Sequence, residues 1–317
     1  MGYLVFSGSQ KGESSSNGTY ISVNDRMGTT FSSISNVKTA KASLDPDQNG
    51  FTINFFCKVP GQVNDNQIII QKKLSLSNNF TLALSQSSST TEAKIVFGIT
   101  SGSNYTYVTG SITKGQFVNI AGIYDPEGDE RTKLIIDDTV YSSSMSTVFP
   151  ILNYNAANLT IGTGDQARLN GSLFDQQETF SGSLDELRFY HTAKSLSEIK
   201  RDRYISVYPD SHLKLYFKFN EPSGSYSAKS VVLDSAKGNL HSRIENYLNN
   251  FTRTTGSDNP VKNEILERHP ILFPDHHLVE SLNTELLTSG SEYDEVNPNL
   301  ITKLIPPHYF LEANNLS

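Results

Sequence analysis

The chain has 317 residues, a formal net charge of −7, no Trp and a hydrophobic fraction of 36%. That length allows one large β domain or two ordinary ones, and the apolar fraction suffices for a thin two-layer core. The acidic balance, without a basic stripe interleaved with aromatics, excludes nucleic acid as an expected partner. No apolar run approaches bilayer length, so no membrane partner is expected, and one cysteine excludes a disulfide framework.

In chain order, Tyr3–Phe6 and Tyr20–Val23 read as strands flanking the polar loop Ser7–Thr19. Phe51–Phe56 follows, bounded by Asn49-Gly50 and Pro60-Gly61. Ile68–Ile70, Phe80–Leu84, Ala93–Ile99, Tyr105–Val108, Gln116–Tyr124, Lys133–Ile136 and Asn158–Ile161 come next at short spacing. This regular strand–turn spacing predicts an antiparallel all-β sandwich or barrel. Asp125–Asp129 and Ile136–Thr139 carry turn chemistry. Cys57 reads as a small buried hydrophobe. Lys72-Lys73 and Lys200–Arg203 read as solvated surface charge. Ser195 with Glu198 three residues later is a capping-box pattern, so Ser195–Tyr204 is predicted to be a short helix. Leu213–Phe219 alternates again, and Val231–Leu233 leads into a turn at Asp234–Asn239. From about Ser257 prolines punctuate the chain, with a helical pattern over Asp275–Leu287 that Asp275 can cap.

Several of these segments carry a family pattern. Phe6–Ser9 with Gly18–Val23 is similar to a pair of opening strands. Phe51–Phe56 is similar to "F-T-I-x-F-W", with Phe56 in the Trp position. Ile112–Asp125 is similar to "G-x-W-x-H-I-A-x-x-Y-D", with Phe117 for Trp and Asn119 for His. Asn158–Gly162 matches "L-x-I-G", and Phe180–Tyr190 with Leu196–Ile199 is similar to a closing "F-x-G-x-I-D-E-V-R-I-Y … L-S-x-x-E-I". In this order, over about two-thirds of the chain, they resemble laminin-G/concanavalin A-like domains. The resemblance implies an all-β, concanavalin A-like antiparallel β-sandwich (jelly roll) with a short helix and a partly helical C-terminal extension.

The expected organisation is a sandwich over 1–206, a late strand–hairpin segment over 207–256 and an extended, partly helical connector over 257–317. The family's hairpin "F-D-E-x-x-G … D-x-S-G-N", which normally precedes the strand starting here at Tyr3, occurs late as Phe219–Gly224 and Leu233–Asn239. Either it is the stub of a second domain, or it folds back to seal an edge of the first; the second reading is favoured. Phe273–His277 with Tyr293–Glu312 resembles a segment of large structural proteins of tailed bacteriophages. That implies a virion location after assembly in the host cytoplasm. Other virion proteins or further copies of the chain would be the partners.

Glycosidases of this fold carry an "E-x-D-x-x-E" set on one strand. Asp185-Glu186 does not match, because adjacent strand residues point to opposite faces, and Glu178 and Glu186, eight apart across Gly182, offer no such pair; no enzymatic activity is expected. Asp185 or Glu186 is expected to satisfy backbone groups or pair with Arg188, itself read as a surface or groove-rim residue. Related domains bind calcium through Asp carboxylates and loop carbonyls, which makes Asp125, Asp129, Asp137 and Asp138 the metal candidates; turn chemistry is the competing reading, and no cofactor besides calcium is expected. His276-His277 cannot both face one ion from a helix. Tyr105, Tyr107 and Tyr154 are candidate stacking residues for carbohydrate, with Asn104 and Asn155 as amide donors; strand packing competes. The expected function is a non-enzymatic structural or adhesion module of a phage particle. The alternative is a calcium-assisted, lectin-like domain that binds a host surface glycan.

Overall fold

The structure, a computed structural model, describes residues 2–10, 18–25, 43–145, 147–154, 157–221, 230–236, 238, 240–246, 252–254 and 259–261. The connector expected over 257–317 lies outside the described residues, except 259–261. The chain divides into two compact units: Met1–Arg203 with Pro209–Pro260, and Tyr204–Tyr208 with Val261–Ser317. In the second unit Tyr204, Ile205 and Tyr208 are exposed.

Strands are numbered in chain order. Sheet A runs β10 (Thr139–Ser142), β9 (Thr132–Ile136), β8 (Phe117–Tyr124), β3 (Phe51–Lys58), β15 (Ser181–Tyr190), β1 (Tyr3–Ser7) and β19 (Thr252–Thr254), with β16 (Leu213–Phe217) also beside β15. Sheet B runs β17 (Val231–Val232), β18 (Ser242–Glu245), β2 (Tyr20–Val23), β11 (Leu159–Ile161), β4 (Gln67–Ser75), β5 (Asn78–Ser85), β6 (Glu92–Ser101) and β7 (Asn104–Thr113), with the short β14 (Glu178–Thr179) parallel to the start of β4. The other pairings within both sheets are antiparallel. The fold is the expected nearly all-β sandwich with one short helix among the described residues, α1 (Leu196–Asp202). Its capping box is present: the Ser195 hydroxyl accepts from the Glu198 N–H while Glu198 accepts from the Ser195 N–H.

Phenylalanine fills the core in place of tryptophan. Phe51 stacks on Phe189 at 5.7 Å and lies 5.3 Å from Phe80 and 6.0 Å from Phe97, joining both sheets. Such contacts between desolvated rings dominate the packing energy of a thin core. Cys57 is buried among them. Sheet A is covered on both faces: Ala121, Ile123 and Ile135 pack outward against Ile199 of α1. β3 is buried from Phe51 to Cys57, its polar Thr52 and Asn54 included.

The late segment adds strands to both sheets. β16 pairs with β15, β18 with β2 and β19 with β1. Asp234 organises the turn between them, its carboxylate accepting N–H bonds from Tyr216, Ala236 and Leu240.

One element went unread in the sequence. β12 (Ala167–Leu169) and β13 (Ser172–Phe174) form a hairpin about Asn170-Gly171, both at positive φ, the signature of a type I′ turn. It lies over the outer face of sheet B. Thr100 Oγ1 donates to the Arg168 carbonyl at 2.8 Å. Leu169 fills the space a side chain at Gly98 would take, and Tyr105 lies against Gly171.

Two readings are corrected. Lys72 is not surface charge: it is fully buried at the middle of β4. Arg188 is not a rim residue either, being 1% exposed. A bulge between Asp185 and Arg188 shifts the β15–β3 register, and Glu186 sits there at φ 53°. The alternation expected of Asp185-Glu186 therefore fails at this point: Leu184, Leu187 and Phe189 join the main core, while Asp185 and Arg188 pair with Phe56 and Asn54, outside it.

Candidate functional site

Three loops meet at one end of the sandwich. The β4–β5 turn and the β6–β7 turn touch where Gly102 N–H donates to the Ser77 carbonyl. The loop after β10 reaches both: Thr147 Oγ1 donates to the Tyr105 carbonyl at 2.9 Å, and Asn78 Nδ2 donates to the Asn153 carbonyl at 3.1 Å. A fourth loop joins through Asp47 and Leu152, which exchange two backbone bonds. The resulting rim exposes Leu74, Leu76, Val148 and Ile151, together with Asn104 and Asn153.

Beneath the rim lies an ionic knot. Lys72 Nζ donates to Asp25 Oδ2 at 2.7 Å and to the Ala157 carbonyl at 2.6 Å, and lies 3.5 Å from Asp45 Oδ1. Asp25 also accepts from Ser43 Oγ and Leu44 N–H, and Asp45 from Tyr154 N–H. One ammonium thus ties the end of β2, the segment after Ser43 and the loop before β11 to β4. Tyr154 is fully buried, edge-on to Phe80 at 5.4 Å. Its hydroxyl has no hydrogen-bond partner among the described residues, and burial, with Asp45 and Tyr124 nearby, holds its pKa well above the usual tyrosine value.

The carbohydrate candidates divide accordingly. Asn104 is exposed at the rim, and Tyr105 is half-buried beside it. Tyr107 shares the Tyr105 face, two residues on, and is also half-buried. Tyr154 supports the rim from inside and offers no ring face to a solvent-borne sugar. Asn155 lies outside the described residues.

The metal candidates do not converge. Asp125 and Asp129 sit before β9, and Asp137 and Asp138 after it; its five residues separate the pairs by roughly 17 Å. Asp125 accepts from Glu127 N–H within its turn, and Asp137 accepts from Asn119 N–H on β8. Asp138 pairs with Lys200 and Arg203. Among the described residues no three His, Cys, Asp or Glu side chains come together as a metal site, so the four carboxylates do not share one ion.

The closing strand carries a second buried polar group, which the sequence placed at the surface. Arg188 donates to Glu186 Oε2 at 2.5 Å and to the Asp202 carbonyl at 2.8 Å, and lies over the Tyr216 ring at 5.1 Å. The Tyr216 hydroxyl donates to the same Glu186 oxygen. Asp185, Glu186 and Arg188 are each 1% exposed; Glu186 and Arg188 lock α1 and β16 onto β15, and both carboxylates are buried.

Two groups at the rim end titrate in opposite senses. Burial, with Asp25 adding to it against Lys72, pushes Asp45 from 3.8 up to about 6. Burial, with Lys214 adding to it against Asp47, pushes His191 from 6.5 down to about 4. Folded Asp45 keeps a proton that the unfolded chain releases, so its contribution is complete below about pH 4 and is lost as pH rises through 6. Folded His191 refuses a proton that the unfolded chain accepts, so its contribution is complete above 6.5 and is lost as pH falls towards 4. The slopes oppose each other over the same window, each worth roughly 3 kcal/mol at about 1.4 kcal/mol per pH unit. Urea unfolding across this window should show Asp45→Asn becoming more stable with rising pH, relative to wild type. His191→Phe should become less stable. Parallel profiles for all three proteins would refute the assignment.

These features agree with the comparisons. A family model described as the concanavalin A-like lectin/glucanases superfamily matches residues 31–200, more than half of the chain. The chain belongs to this superfamily. Among solved structures, the superfamily chain is similar to a candidate carbohydrate-binding protein from Bacteroides ovatus ATCC 8483, at 17% identity and a TM-score of 0.50. The match covers 82% of this chain and 62% of that one, so the chain spans about three-fifths of that protein's length. It is also similar to the native heptameric SAP-like pentraxin of Limulus polyphemus, at 14% identity and a TM-score of 0.42, covering 63% and 80%. Domains LG4-5 of the mouse laminin alpha1 chain give 12% identity and a TM-score of 0.39, covering 62% and 43%. At these identities the likeness is one of fold. A search of curated proteins finds no match.

Proposed function

We propose that this superfamily domain is a non-catalytic recognition module that binds carbohydrate at the rim around Asn104. One observation carries this reading: exposed Leu74, Leu76, Val148 and Ile151 share that rim with the amides of Asn104 and Asn153, on a base fixed by Lys72. Aliphatic side chains suit the C–H faces of a sugar and amides suit its hydroxyls, while a pre-formed base spares the ordering cost of binding. The candidate carbohydrate-binding protein of similar fold is consistent with it. The burial of Asp185 and Glu186 supports the non-catalytic reading, since a glycosidase needs two carboxylates that reach the glycosidic bond.

The test is a glycan array followed by titration of the best ligand. Asn104→Ala and Ile151→Glu should each weaken binding about tenfold, the loss of one hydrogen bond or apolar contact, without altering the circular dichroism spectrum. EDTA should leave binding unchanged; binding abolished by EDTA would restore the calcium-assisted alternative. An array with no ligand would refute the reading. The phage-like pattern of Phe273–His277 with Tyr293–Glu312 supports a tailed-phage virion as the setting, with other virion proteins as neighbours and a host surface glycan as ligand. Detection of the chain by mass spectrometry in purified particles tests that setting.

A further inference from the structure

The four aliphatic side chains of the rim stand on fixed backbone. Leu74 sits where the β4–β5 register breaks, between Lys73 and Ser75. The Leu76 carbonyl accepts from Asn79 Nδ2 at 3.0 Å. Val148 lies between Thr147, tied to the Tyr105 carbonyl, and Phe149, whose N–H donates to the Tyr124 hydroxyl at 2.9 Å. Ile151 precedes Leu152, held by its two bonds to Asp47. The bond from Asn78 to the Asn153 carbonyl joins the Leu76 turn to the Ile151 loop. Each of the four exposes 40–48% of its surface. Water against these branched side chains is released when an apolar group covers them.

The same rim is poor in rings and in charge. A flat pyranose face is best covered by an aromatic side chain, and the chain has no Trp. Phe80, Tyr124, Phe149 and Tyr154 are buried, and Tyr105 lies against Gly171. Lys73, beside Leu74, is 3.5 Å from Asp165, a neutral pair. The knot below sets two carboxylates against one ammonium, and the whole chain carries −7. A uronate, sulfate or phosphate arriving here meets repulsion.

Taking this rim as a sugar site, the reading on which the inference rests, we propose that it selects an uncharged sugar by a methyl group. The methyl seats among Leu74, Leu76, Val148 and Ile151, and the amides of Asn104 and Asn153 take the hydroxyls beside it. Two sugar classes carry such a group on a neutral ring. One is a 6-deoxyhexose, with a methyl where the parent has a hydroxymethyl. The other is an N-acetylhexosamine, with an acetamido group where the parent has a hydroxyl. A methyl seated among aliphatic side chains discriminates by about tenfold against the sugar that lacks it.

Titration calorimetry on the full chain with matched pairs tests this. The pairs are L-fucose against L-galactose, L-rhamnose against L-mannose and N-acetylglucosamine against glucose, with glucuronate as the charged arm. At least one methyl-bearing sugar should bind about tenfold tighter than its partner, and the pair that shows it identifies the carrier. Leu76→Asn with Val148→Thr keeps the shape of both side chains and should remove most of that preference, with the circular dichroism spectrum unchanged. Asn104→Ala should weaken both members of the pair alike and leave their ratio standing. Equal binding within every pair, or glucuronate as the best ligand, would overturn the inference while leaving the rim a sugar site. So would a preference that the double variant leaves intact. No binding by any sugar, here or on the array, would refute the sugar reading and the inference with it.

Discussion

Replacing Lys72 by Met is expected to lower the unfolding free energy by about 3–5 kcal/mol, the usual cost of stripping one partner from a buried ion pair. Methionine matches the length and fills the volume, so packing changes little. The remaining change is electrostatic. Asp25, fully buried, and Asp45 lose the cation between them, and the Ala157 carbonyl loses its donor. The triple variant Lys72→Met with Asp25→Asn and Asp45→Asn should recover most of the loss. Each asparagine can still accept the backbone N–H that its aspartate now holds, from Leu44 and Tyr154. Chemical denaturation measures both. A single variant within about 1 kcal/mol of wild type would show that the knot contributes little, and a triple variant as weak as the single one would place the loss in the severed loop ties.

The second large effect belongs to Arg188. Arg188→Met should cost about 3–5 kcal/mol for the same reason, since Glu186 remains buried beside it. Here the damage should spread along identifiable elements. Arg188 holds the Asp202 carbonyl at the end of α1 and, with Glu186, the Tyr216 hydroxyl on β16. Hydrogen exchange should therefore quicken at the amides of α1 and β16 while those of β5 and β6 keep their protection. Adding Glu186→Gln should return part of the stability. Uniformly faster exchange over both sheets would contradict a local clamp.

Lys72 and Arg188 also mark where the sequence could be read and where it could not. The strand pattern, the capping box at Ser195 and the closing motif at Phe180–Tyr190 were legible, because apolar period, turn chemistry and caps act locally. Lys72 was missed by ending its strand at Ile70, when β4 runs on to Ser75. Two adjacent lysines inside a strand cannot both face water when the sheet is covered on one side, so the signal was present once the strand length was known. The Asn170-Gly171 turn was an equally plain hairpin signal between two apolar-bearing segments. Arg188 is different in kind. Its burial depends on a bulge with Glu186 at positive φ, and no residue type there announces it, since glycine would be the ordinary occupant. The rim was half legible: Asn104 and Tyr105 were chosen for chemistry, but Leu74, Leu76, Val148 and Ile151 reach it through tertiary contacts between loops far apart in sequence.

The pairing of β1 with β19 has a mechanical side. Tyr3 lies opposite Thr254, so the start of β1 and the end of β19 sit about 5 Å apart, at the same end of one ladder. A pull on those two points would load the pair one bond at a time, as a zipper opens, instead of shearing the whole ladder at once. A sandwich tethered this way yields early if placed in line with a load, yet adds almost no length to a chain that carries it as a side branch. Loaded at those two points, the sandwich would behave as a pendant rather than a link.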